Sequence, residues 1–309
     1  MKPAKFRCIS ILLVLAVLLT TGCSRRAALR EPVSRFQSSA SVVIASTRIY
    51  TTELNKVERD SYIYGQLGAR EQIKLAELES RQVFSREGLR ARLEALDHLS
   101  SYGDLLWKLA NSDAPARVQA ASNQLGSSLG ALDERVRGLN GGDDTAFKSA
   151  FGPVFEVVSL ILADVTERRI ERALEKAVKD GEAPINRLVS VIRKDIVIAY
   201  ERRRTALSGE RVILVDEFNR ELDRGAGADA EKLRLFASRI RNHEDRWEIF
   251  ATANPQEGLD AMAAAHSALV KYARSPQRKI DLATLVDAME AFASRANTVA
   301  QAVKTLRAS

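Results

Sequence analysis

Apolar side chains in this chain recur at alternating four- and three-residue steps, and that spacing points to helix as the structure that buries them. Phe36, Ala40, Val43, Thr47, Tyr50, Leu54, Val57, Ser61 and Tyr64 form the first such stripe. Leu89, Leu93, Leu96, Leu99, Gly103, Leu106 and Ala110 form a second, and Val118, Ala121, Leu125, Leu129, Leu132, Val136 and Leu139 a third. Each stripe puts one apolar seam along one side of a helix, so each helix needs a neighbour. No stretch sustains the period-two alternation of a half-buried strand, and a sheet has no support. Aromatic residues make up only 6% of the chain, which suits narrow seams filled by Ala and Leu.

The breaks between stripes set the connections. Ser112-Asp113-Ala114-Pro115 places cap-type residues ahead of a first-turn proline, so a hairpin is expected there. Gly141, Gly142 and Asp143 mark the next break, and Phe147, Phe151, Val154, Val158, Ile161 and Val165 open another apolar face that Gly152-Pro153 either kinks or begins. That face runs on weakly through Ile170, Leu174 and Val178 until Asp180-Gly181, which is expected to end it. Ile185, Val189, Ile192, Ile196 and Ala199 lead a segment that can extend past Leu207 and Val212 to Leu222, with Ser208-Gly209 as its expected interruption. Leu233, Ala237, Ile240, Trp247 and Phe250 share a face, and Asn254-Pro255-Gln256-Glu257 offers a cap, a first-turn proline and an acid at N3 for a second hairpin. Leu259, Met262, His266, Leu269 and Ala273 follow. Ser275-Pro276 then caps a last helix whose inward face is Leu285, Met289, Phe292, Ala296, Val299 and Val303. The expected fold is all-α: an elongated antiparallel bundle of about seven or eight helices over residues 32–309, with sub-boundaries near 141–143 and 225–228.

Ahead of the first stripe the pattern changes. Lys2, Lys5 and Arg7 form a basic start, Ile9 to Leu19 an apolar run, and Leu19-Thr20-Thr21-Gly22-Cys23 a small-residue run ending in cysteine. An apolar run of roughly eleven residues has signal-peptide length and falls short of the twenty or so that span a bilayer. This arrangement resembles the signal peptide and lipobox of bacterial lipoprotein precursors. The likeness covers residues 1–23; the family usually carries Leu three places before the cysteine, where this chain has Thr20. It implies that residues 1–22 are removed, that the Cys23 thiol is lipidated, and that the membrane is a partner through that lipid. Residues 23–31 then serve as a short lipid-anchored linker. Ser24, in place of the Asp that retains enteric-type lipoproteins, implies an outer-membrane protein facing the periplasm. Arg25, Arg26 and Arg30 beside the anchor are candidate contacts for anionic head groups.

Charge and cysteine content narrow the function classes. The chain carries 47 basic and 40 acidic residues; without Lys2, Lys5 and Arg7 it carries 44 against 40, a mild excess unlike the basic footprint of a nucleic-acid binder. Cys8 lies in the expected signal and Cys23 is expected to carry lipid, which leaves no thiol for a disulfide or for catalysis. Stability is left to packing, and the length beyond the signal suffices for a core.

Apparent active-site motifs read as structure. Gly126-Ser127-Ser128-Leu129-Gly130 matches the nucleophile-elbow pattern, but the apolar stripe runs through it as helix, where that pattern needs a strand-turn-helix. His98, His243 and His266 fall on three different helices without the Glu three residues before them that di-iron bundles use, and His266 lies on an apolar face as a core residue. Arg202-Arg203-Arg204 and Arg168-Arg169 have acidic neighbours and read as solvated faces with i,i+4 pairs, the functional alternative being a patch for lipid or lipopolysaccharide phosphates. Val154 to Val165, the most apolar stretch beyond the signal, reads as a core helix. Tyr50, Tyr62, Tyr64 and Trp107 read as core or groove residues. The expected function is a lipid-anchored cell-envelope bundle that binds or scaffolds an envelope protein, with no catalytic residue, no cofactor, no metal site and no nucleic acid. A membrane-active, pore-forming-type protein and a cryptic hydrolase or metalloprotein are the alternatives.

Overall fold

The structure is a computed structural model. It describes the backbone of residues 4–69, 71–111, 115–138, 170–275 and 278–308, and most of their side chains from Ala27 onward. Eight α-helices and one short 3-10 turn make up these residues, with no strand among them: α1 (Ala4–Ala69), α2 (Leu75–Ser80), α3 (Arg86–Asn111), α4 (Pro115–Gly138), α5 (Ile170–Leu222), α6 (Ala230–Thr252), α7 (Gln256–Arg274) and α8 (Arg278–Ala308). The fold is an all-α helical bundle.

Side-chain contacts give the direction of each helix. Gln37 meets Asp104, Arg30 meets Ala110 and Asn55 meets Phe84, so α3 runs antiparallel to α1. Arg92 meets Asp195 and Tyr102 meets Ala177, so α5 runs back up, parallel to α1. Arg193 pairs with Asp260 and Arg274 with Glu182, which sets α7 downward against the lower half of α5. Arg295 pairs with Glu257 and Arg35 with Glu290, so α8 is antiparallel to α7 and parallel to α1. Pro115 opens α4, which packs on α3 through Val118, Leu132 and Val136; the turn at 112–114 lies outside the described residues.

The heptad stripes become the core. Phe36, Ala40, Val43, Thr47, Tyr50 and Leu54 are all buried, while the side chains of Val57, Ser61 and Tyr64 lie outside the described residues. Leu96, Leu99, Gly103, Leu106 and Ala110 are buried on α3, and the six expected inward positions of α8 are buried without exception. Helix α1 also runs unbroken through residues 23–31, past Pro32, and brings Leu29 into the core. Gly258 lets α7 approach closely: a Cβ there would lie 3.1–3.3 Å from methyl carbons of Val43 and Val299.

Two expected breaks are absent, and a third breaks the helix without reversing the chain. Asp180-Gly181 does not end a helix; α5 continues through both, and through Pro184, for 53 residues. A mid-helix proline costs about 3 kcal/mol in isolation. Here Ala177, Val178, Ile185, Leu188 and Val189 are buried on both sides of it, and the packing holds the helix together. Ser208-Gly209 does not interrupt α5 either. The Asn254-Pro255 turn does not make a hairpin. Glu244 of α6 pairs with Arg211, Phe250 stacks on Tyr200, and Asp260 of α7 pairs with Arg193, so α6 and α7 run in the same direction, end to end along α5. Asn254 still caps, accepting the Gln256 N–H at 3.1 Å, but Glu257 pairs with Arg295 instead of reaching back. Gly141 to Asp143, the Phe147 to Val165 face, Gly152-Pro153 and Arg168-Arg169 lie outside the described residues.

Candidate functional site

The bundle has two ends of different character. At the lower end, the side chains of Cys23, Arg25 and Arg26 lie outside the described residues, and Arg30 is exposed with its Nε donating to the Ala110 carbonyl at 3.3 Å. Among the described side chains, packing begins with Ala28 and Leu29, five and six residues beyond Cys23.

At the upper end, α5 outgrows its neighbours and, among the described residues, pairs with α6 alone. Leu207 is buried, but Leu214, Phe218, Leu233, Phe236, Ile240 and Trp247 along the α5–α6 seam are only half-buried, because two helices cannot enclose a seam that a third does not cover. The tip is well built. Gly225 adopts φ +58°, and the Glu221 carboxylate accepts the Asp229 N–H at 2.9 Å and meets Arg224 at 3.1 Å. Asp229 caps α6 by accepting from the N–H groups of Glu231 and Lys232, which holds its carboxyl below the usual range. Outside the seam, Val212 (59% exposed), Val215, Asn219 and Leu222 (51%) follow one another at three- and four-residue steps, with Ile213 (58%) and Leu235 beside them. Five large apolar residues on one short hairpin, Val212, Ile213, Val215, Leu222 and Leu235, face solvent, a concentration that marks interaction surfaces.

The titratable groups inside the bundle are tied to packing. His266 is fully buried, with Nε2 2.8 Å from the Tyr102 hydroxyl, which donates to the Ala177 carbonyl at 3.0 Å. Since that hydroxyl has one proton, the histidine hydrogen sits on Nε2 and the Nδ1 lone pair has no hydrogen-bond partner. Burial pushes the imidazole down to about 4 and the Tyr102 phenol upward. His266 is the hydrogen-bonded core residue its apolar face suggested. Arg92 and Asp195 form a buried pair, Nε to Oδ2 at 2.6 Å, with Arg92 also bonded to the Gly88 carbonyl and lying over the Phe84 ring. His243 is buried at the root of the arm, 3.9 Å from the carboxylates of Glu210 and Glu244. Among the described residues no three His, Cys, Asp or Glu side chains converge as a metal-binding group.

Sequence-level candidates are scattered by the fold. The three histidines sit at separate levels, and Ser127 lies within continuous helix α4 on an exposed face. The arginine run divides: Arg202 and Arg204 are exposed as the solvated-face reading expects, Arg204 pairing with Glu201 at 2.8 Å and Arg202 reaching the Val83 carbonyl, whereas Arg203 is buried against Glu210 at 3.5 Å and corrects that reading. Tyr50 is a core residue stacked on Phe250, whereas Trp107 is exposed. The arm was the feature least visible beforehand; its signal is Val212, Val215 and Leu222 continuing an apolar stripe beyond the reach of the other helices.

No helix among the described residues is long and apolar enough to cross a membrane. No protein-family model, curated protein or solved structure matches the chain.

Proposed function

We propose that this is a lipid-anchored protein of the bacterial cell envelope, held to the membrane through Cys23, that binds or scaffolds another envelope protein without catalysis. The observation that carries this reading is the exposed apolar stripe on the α5–α6 arm, at the end of the bundle away from the start of α1. The 45 residues between Ala177, level with Phe36, and Leu222 put the tip about 70 Å above that layer. An arm so placed is out of reach of the membrane that would hold Cys23, and a protein is the partner that suits it. Arg25, Arg26 and Arg30 fit the other end, where head groups would meet them.

Metabolic labelling with a palmitate analogue tests the anchor: the wild-type chain takes up label and Cys23→Ser does not. Labelling that survives Cys23→Ser refutes it. In-cell photocrosslinking from Asn219 on the arm tests the binding half, which fails if Asn219 yields no adduct that an exposed α8 position does not also yield.

A further inference from the structure

We propose that the cleft between α1, α2 and α3 binds a single-chain anionic amphiphile, a carboxylate or phosphate head on one acyl chain. This site is separate from both ends of the bundle and does not depend on lipid at Cys23. The cleft has a volume of about 490 Å³, within the range of small-molecule sites. Its two sides differ in chemistry. Lys56 and Arg59, one turn apart on α1, line it together with Arg86 at the start of α3. Among its described lining residues Glu79 is the one carboxylate, and Lys56 also meets Glu53 at 2.8 Å. Asn55 gives its side-chain carbonyl to the Phe84 N–H, which leaves its amide hydrogens for the cleft. The apolar wall is Leu75 and Leu78 of α2 with Leu89 of α3.

Helix α2 makes the argument sharper. It contributes no buried residue, and Leu75 is 68% exposed, so the core does not account for a leucine wall there. An acyl chain lying in the cleft would cover Leu75 and Leu78 while its head meets Arg86. Free phosphate would use only the cations, and a neutral lipid only the leucines; an anionic amphiphile uses both. Asn55 lies 32 residues up α1 from Cys23, about 50 Å, so the ligand is a free molecule and not a lipid of the anchoring leaflet.

Equilibrium dialysis of radiolabelled oleate against the full chain carrying Cys23→Ser tests this, with lysophosphatidylglycerol, inorganic phosphate and anionic vesicles as competitors. Saturable binding at one oleate per chain is expected, weakened about tenfold by Arg86→Glu and by Leu75→Asp alike. Both changes put an acid in a first helical turn at an exposed position, which favours the helix, and circular dichroism confirms the fold. Competition by lysophosphatidylglycerol would make a phospholipid product a source of the ligand; its absence restricts the ligand to fatty acids, and either result supports the site. No saturable binding, binding that either variant leaves unchanged, or displacement by phosphate alone or vesicles alone overturns the proposal.

Discussion

Acidification should loosen this bundle from its centre, through His266. The ring is fully buried against Phe36 and Tyr102, with the α8 ring of Phe292 packed on the Phe36 ring, and Nδ1 has no hydrogen-bond partner. Protonation would place a second N–H and a full charge there. The native imidazole is pushed from 6.5 down to about 4. The unfolded chain therefore binds the proton first as pH falls, and the stability this residue contributes is fully present above the unfolded value. It declines between 6.5 and about 4, and the difference amounts to about 3 kcal/mol. Urea unfolding followed by circular dichroism at about pH 7.5 and about pH 4.5 measures it. His266→Gln keeps a donor for the Tyr102 oxygen and removes the titration, while every other group titrates in both proteins. Wild type should lose about 2–3 kcal/mol more than the variant between the two conditions. Equal losses would refute the buried neutral histidine.

Gly181→Ala should destabilise by about 1–3 kcal/mol, because a Cβ there would press on the Tyr102 ring, 3.0 Å from Cζ; thermal melts should show partial rescue by Tyr102→Phe. Removing one member of the buried pair, as in Arg92→Ala or Asp195→Ala, should cost about 3–5 kcal/mol, whereas Arg92→Met with Asp195→Leu should cost far less, a double-mutant comparison that chemical unfolding reads directly. Val212→Ser with Leu222→Ser should change unfolding stability by less than about 0.5 kcal/mol, since both residues are exposed, yet abolish crosslinks formed from Asn219. Crosslinking that persists would show that Val212 and Leu222 do not hold the partner.

Periodicity alone was enough to identify the all-α class and most of the core. Phe36 to Leu54 on α1 and Leu285 to Val303 on α8 are buried where the stripes put them, because a 3.6-residue turn carries each such position to the same side whatever the neighbour is. His266 was legible as a core residue for the same reason. Local punctuation was less dependable. Asp180-Gly181 and Pro184 look like a helix end, but a break is a local preference of a few kcal/mol, and α5 is held through it by α3 and α7. Asn254-Pro255 looks like a reversal, and its cap is real, yet α6 and α7 continue in one direction because α5 presents a single long seam for both.

Helix content, the seams and the lipobox-like segment around Cys23 are properties of neighbouring residues, and the sequence alone determines them. Which helices lie side by side, that Arg92 finds Asp195 and Tyr102 finds His266, and that α5 and α6 outrun the bundle as an arm are settled only by tertiary packing. An apolar stripe states that a helix face must be covered. It does not say by what, and along Val212 to Leu222 the described residues leave it uncovered.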